Sequence, residues 1–150
     1  MKKLRTLMFL LAALNSPAVL SHSDEYLDTQ PTPNGGQMRM AGAYHYELVV
    51  VKDSKTAKEN PIVLYVSDHG DNKISTKGAR GTATILAGKL KTTVNLVPDG
   101  DNRLKGFAKY ASTPDMKVAV TVTLPGKTTE PARFTPLAKK AADPHAGHKH

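Results

Sequence analysis

The chain of 150 residues has no cysteine and no tryptophan, and only three phenylalanines and five tyrosines. Without thiols it forms no disulfide, runs no thiol chemistry and carries no lipid on a cysteine. A domain without disulfides must be held by its core alone, which a chain of about this length can build. No segment reaches the ~20 consecutive apolar residues that a membrane-spanning helix needs. No serine sits in a Gly-x-Ser-x-Gly elbow, and Gly78, Gly81 and Gly88 are too dispersed for a phosphate-cradling loop. A copper oxidase built on a terminal histidine would need a second fixed imidazole and an aromatic-rich substrate face, and tryptophan is missing. Together these absences point away from an enzyme.

What is present begins with a leader. Lys2, Lys3 and Arg5 precede an apolar run from Leu7 to Leu14, followed by Pro17 and the exit Val19-Leu20-Ser21. This is the layout of a cleaved export signal, too short to span a bilayer. A cut after Ser21 leaves a product of 129 residues, expected in the bacterial periplasm with no membrane insertion. Losing the leader's three cations leaves 18 Lys and Arg against 13 Asp and Glu, a net charge of +5. The lysines are scattered along the chain and few aromatics interleave with them, so a solvated basic exterior is expected and no nucleic-acid partner.

Residues 22–36 read as an extended arm, because Pro31, Pro33 and Gly35-Gly36 oppose a helix. Residues 37–137 read as short strands with turns between them, at Asp68-His69-Gly70-Asp71-Asn72, Pro98-Asp99-Gly100, Thr113-Pro114-Asp115 and Pro125-Gly126. The clearest is Met116 to Leu124, where Met116, Val118, Val120, Val122 and Leu124 share one face and Lys117, Ala119, Thr121 and Thr123 the other. About seven such strands predict an all-β antiparallel two-sheet sandwich of immunoglobulin-like type, with a closed barrel as its competitor. Residues 138–150 hold no large apolar residue and are expected to form a histidine-rich flexible tail. No long-period repeat is present.

All six histidines follow the leader. The cut after Ser21 would make His22 the amino terminus, where α-amine and imidazole can chelate one ion. The tail carries His145, His148 and His150 with Gly147 for slack, a flexible and weakly selective set. Asp68-His69-Gly70-Asp71 combines carboxylates with imidazole on a loop after a buried strand, which suits Cu²⁺ or Zn²⁺. The plainer alternative is a polar turn whose aspartates bind nearby amides. Met38 and Met40 fall on one face of a strand and offer soft thioethers to Cu⁺. His45 shares a face with Glu47, which can orient its ring. The alternative for this group is ordinary packing around a satisfied histidine.

Pro33-Asn34-Gly35-Gly36, with Gly42, Tyr44-His45 and Glu47-Leu48-Val49-Val50, resembles the Pro-x-Gly-Gly … Gly-x-(aromatic)-x-x-Glu-Leu strand of periplasmic adaptor subunits in bacterial heavy-metal efflux. The body, 33–137, also resembles small exported proteins that accompany such pumps. The chain has no long helical hairpin or lipoyl-like part, so the resemblance implies a stand-alone accessory that meets metal ions, the pump or its adaptor. A weaker likeness is to periplasmic copper-resistance carriers, which hold Cu²⁺ through an amino-terminal histidine, an aspartate and another histidine. His22, Asp68 and His69 match those types, although Asp68 and His69 are adjacent where that family separates the pair by one residue. The expectation is a periplasmic accessory that buffers or delivers copper, with zinc or nickel as alternative ions. A metal-free module docking onto an efflux or envelope assembly is the other expectation.

Overall fold

A computed structural model describes residues 22–139. The leader and the tail histidines His145, His148 and His150 lie outside the described residues. The sequence alternation carries directly into burial. In the strand Lys117–Thr123, Val118, Val120 and Val122 are buried while Lys117, Ala119 and Thr121 are exposed. The elements in chain order are α1 (Asp24–Thr29), β1 (Gln37–Ala41), β2 (Tyr44–Val50), β3 (Lys58–Asp68), β4 (Arg80–Ala87), β5 (Leu90–Pro98), β6 (Arg103–Tyr110), β7 (Lys117–Thr123) and β8 (Glu130–Phe134).

All eight strands pair antiparallel in the order β1-β2-β3-β6-β5-β4-β7-β8. The all-β antiparallel class is as expected. The finer expectation of an immunoglobulin-like sandwich is not clearly met, because the strands form one continuous, nearly closed barrel-like sheet. The physical reason lies in β5, which pairs along its length with β4 and also, through Val97↔Lys105 and Pro98↔Leu104, with β6. That short ladder joins what would otherwise be two separate sheets.

The two sheet ends, β1 and β8, face each other without a backbone ladder. Side chains span the gap. The Thr135 amide donates to the Gln37 side-chain oxygen at 2.7 Å. At the other end Gly42 lies so close to Glu130 that an added Cβ would sit 2.5 Å from its carboxyl carbon. Inside the curled sheet lie Tyr46, Leu48, Ile62, Leu64, Val66, Leu104, Ile85, Leu96, Val118, Val120 and Phe134, all buried. Each large side chain among them contributes about 1.5–3 kcal/mol of transfer free energy.

The extended arm expected at 22–36 is corrected in its first half, where α1 forms. The prolines begin only at Pro31, leaving Asp24–Thr29 free to coil. Ser23 caps the helix by accepting the Tyr26 amide at 3.2 Å, and Asp24 and Glu25 oppose the positive end of the helix dipole. Leu27 is the residue that α1 buries. No helix among the described residues is long and apolar enough to cross a membrane.

Candidate functional site

The site lies on the outer surface of β1 and β2. Antiparallel partners share a face, so Arg39↔Tyr46 points inward while Met40↔His45 and Met38↔Glu47 point outward. Outward residues of a barrel normally meet solvent. Here His45 is 6% exposed and Glu47 3%, because the chain ahead of β1 folds back over them.

Glu47 is the anchor of that fold-back. Its carboxylate accepts the Asn34 amide at 2.9 Å, the Asn34 side-chain nitrogen at 2.8 Å and the Gly36 amide at 2.9 Å. Three donors on one buried carboxylate are what keep its charge tolerable away from water. Gly36 is required by the close approach: a Cβ there would lie 2.4 Å from the Leu48 carbonyl oxygen. The expectation that Glu47 orients the His45 ring is therefore corrected, since its oxygens serve the Asn34–Gly36 turn. The Pro33-to-Gly36 and Glu47-Leu48 segments of the sequence pattern are two halves of one contact.

A second tether fixes α1. Arg39, 6% exposed, donates to both oxygens of Asp28 at 2.7 and 3.1 Å and lies 3.6 Å from Asp24. Gln37 also donates to Asp28, at 3.0 Å. With α1 held on both counts, His22 arrives beside β2. Its ring stacks on Tyr26, with centroids 5.3 Å apart, and meets His45 edge-on at 6.2 Å.

The third contributor comes from the turn after β3. The Asp68 carboxylate accepts the Gly70 amide at 2.8 Å, the Asn72 amide at 2.9 Å and the Asn72 side chain at 3.0 Å. These bonds, led by the Asn72 side chain, hold its pKa below the usual carboxylate range. Asp68 thus serves the turn, the plainer of its two expected roles. The turn closes with Asp71 in the left-handed region at φ 62, and it lays His69 over His45, centroids 4.9 Å apart and planes 26° from parallel. Asp71 reaches to 3.7 Å from His45 Nδ1, which is too long for a hydrogen bond.

His22 and His69, which the copper-carrier resemblance groups together, thus each lie against His45, which the sequence sets apart with Met38 and Met40, and Met40 is the cross-strand neighbour of His45. Met38 lies one outward position further along, opposite Glu47. His45 itself is chemically incomplete. Neither Nδ1 nor Nε2 has a hydrogen-bond partner, though both are buried, and each such orphan costs about 1–3 kcal/mol. Burial, and then the neighbouring His69, push its pKa down, with Asp71 opposing. It is held as a neutral imidazole, the form that coordinates metals.

Among the described residues no three His, Asp or Glu side chains are drawn into a finished coordination group. The spacing is nevertheless near what one would need. With metal–nitrogen bonds of about 2 Å, two ligating rings in tetrahedral arrangement have centroids about 5 Å apart. The observed 4.9 and 6.2 Å bracket that value, and His22 and His69 are exposed at the rim where rotamers can turn. Compared with known protein families, curated proteins and solved structures, the chain matches none.

Proposed function

We propose that this protein binds one transition-metal ion on the outer face of β1–β2, copper first and zinc or nickel as alternatives, and buffers or delivers it in the periplasm within a heavy-metal resistance system. His22, His45 and His69 supply the nitrogens. Met40 adds a thioether that favours Cu⁺, and Asp71 lies at the margin to balance charge. The single observation that carries this reading is the buried His45 ring, unpartnered at both nitrogens and flanked by two further imidazoles. A neutral ring in that state gains a partner when a metal ion enters, without a proton having to be expelled from it first.

Cleavage after Ser21 would strengthen the site, because the freed α-amine of His22 adds a donor beside its ring. His145, His148 and His150, outside the described residues, add further imidazoles that can take up the same ions. The rival reading, a metal-free module docking through a sheet edge, has less support. The two edge strands β1 and β8 abut each other, and side-chain bonds bridge them.

The test is a Cu²⁺ titration of the exported protein followed by calorimetry, with His22, His45 and His69 changed singly to Ala. Each change should weaken the tight phase by about tenfold or more, equivalent to at least ~1.4 kcal/mol. A tight phase unmoved by all three changes rejects the site.

A further inference from the structure

A second concavity lies on the outer face of β4, β7 and β8. Its origin is legible in the pairing. Ala119 on β7 stands between Thr84 on β4 and Arg133 on β8, with Lys117 the next outward residue on its own strand. A single methyl among larger neighbours leaves a dip, and where β8 meets the edge strand β1 its far side is lined by Arg39 with Asp24 of α1. The result is a groove of about 520 Å³, within the range that holds small organic ligands. Its surface is mostly apolar, and Leu86, the partner of Lys117, is left 44% exposed on it.

The charges in the groove are unequal in availability. Arg39 is committed to Asp28 and Asp24, and Asp24, the one carboxylate at the groove among the described residues, already lies beside that guanidinium. Lys117 and Arg133 are exposed and have no ion-pair partner among the described residues. They sit diagonally on neighbouring strands, a relation that puts backbones about 7–8 Å apart and lets two long side chains converge on one anion.

We propose that this groove binds a monomeric amphipathic organic acid, its carboxylate held between Lys117 and Arg133 and its apolar body lying over Ala119 towards Leu86. Charge complementarity sets the head group, and the shallow apolar floor sets the body. The site shares no ligand with the imidazole cluster, so it stands or falls independently of metal binding.

The probe is decanoate, titrated by displacement of 1-anilinonaphthalene-8-sulfonate fluorescence from the full chain. Binding at one equivalent is expected. Ala119→Phe fills the dip at an exposed strand position that tolerates an aromatic, and it should weaken decanoate about tenfold or more. The double change Lys117→Glu with Arg133→Glu should do the same without altering the groove's shape, and so decides the matter should Ala119→Phe disturb folding. Decanol, with the same chain and no carboxylate, should bind at least about tenfold more weakly. Unchanged affinity in the charge-reversed protein, equal binding of decanol, or binding only to phosphatidylglycerol vesicles and not to monomeric decanoate would each overturn the proposal.

Discussion

The Glu47 carboxylate accepts the Gly36 amide at 2.9 Å, and with its two bonds from Asn34 this contact helps to fold the leading segment back across β2. Glu47→Ala removes the acceptor for three donors while leaving two amides and a side-chain nitrogen unmatched. It should destabilise the protein by about 2–4 kcal/mol in urea unfolding, less than the sum of three bonds to a charged group at about 1.5–3 kcal/mol each, because Asn34 is exposed and its donors regain water. Glu47→Gln keeps one acceptor and should lose less.

Gly36→Ala probes the same contact from the other side. The added methyl collides with the Leu48 carbonyl, and forced overpacking of this kind costs about 1–3 kcal/mol. Gly35→Ala is the control: its φ of 71 makes it strained, yet an added Cβ there meets nothing within 4 Å. It should cost about 1 kcal/mol, the ordinary penalty for a side chain in left-handed backbone.

His45 separates stability from binding. Replacing a buried ring whose nitrogens lack partners by an apolar ring removes the unmet polarity. His45→Phe is therefore expected to unfold at the same or a higher temperature than the parent without metal. The same variant should lose the rise in Tm that Cu²⁺ gives the parent. A clear fall in metal-free Tm would show that His45 has polar partners after all.

The pH dependence follows from the same ring. Burial first, then His69, lowers the folded pKa of His45 below its ordinary 6.5. The unfolded chain thus takes up the proton at higher pH than the folded chain. Stability is full above about pH 6.5 and declines as pH falls below it, levelling off once the folded ring also protonates. Urea unfolding at pH 7.5 and 5.5 should show this loss in the parent and a smaller one in His45→Phe. Competition between proton and metal at His45 should set in only at lower pH, where the folded ring itself protonates.

Much of the strand pattern was legible in sequence because burial follows period-2 alternation wherever one face is wet, as from Met116 to Leu124. β2 hid its message: Tyr44 to Val50 is apolar or aromatic at most positions, so alternation does not reveal that His45 points outward under a cover. The choice between sandwich and barrel was not legible either, since near-closure depends on β5 meeting β6 through two pairs and on β1 coming to lie beside β8. Local residues do not encode those distant encounters. For the site, the residue types were visible in sequence and so was a pairing of His22 with the His69 loop, whereas the place of His45 between them was not. Register alone places Met40 against His45, and two tethers, Glu47 to Gly36 and Arg39 to Asp28, bring in His22. Asp68 illustrates the limit, because the same residue type suits a metal or a turn, and its bonds to Gly70 and Asn72 assign it to the turn. The short helix is not legible because six residues make less than two turns, too few to show a helical period, and Pro31 and Pro33 follow directly.

The convergence of His22, His45 and His69 on a single ion is tested most directly by NMR of their imidazoles during Cu²⁺ addition. The exported protein with His145, His148 and His150 changed to Ala isolates the folded site. All three ring signals should broaden together and be complete at one equivalent of metal. Rings that respond separately, or a His45 signal that stays sharp at stoichiometric copper, would contradict the account.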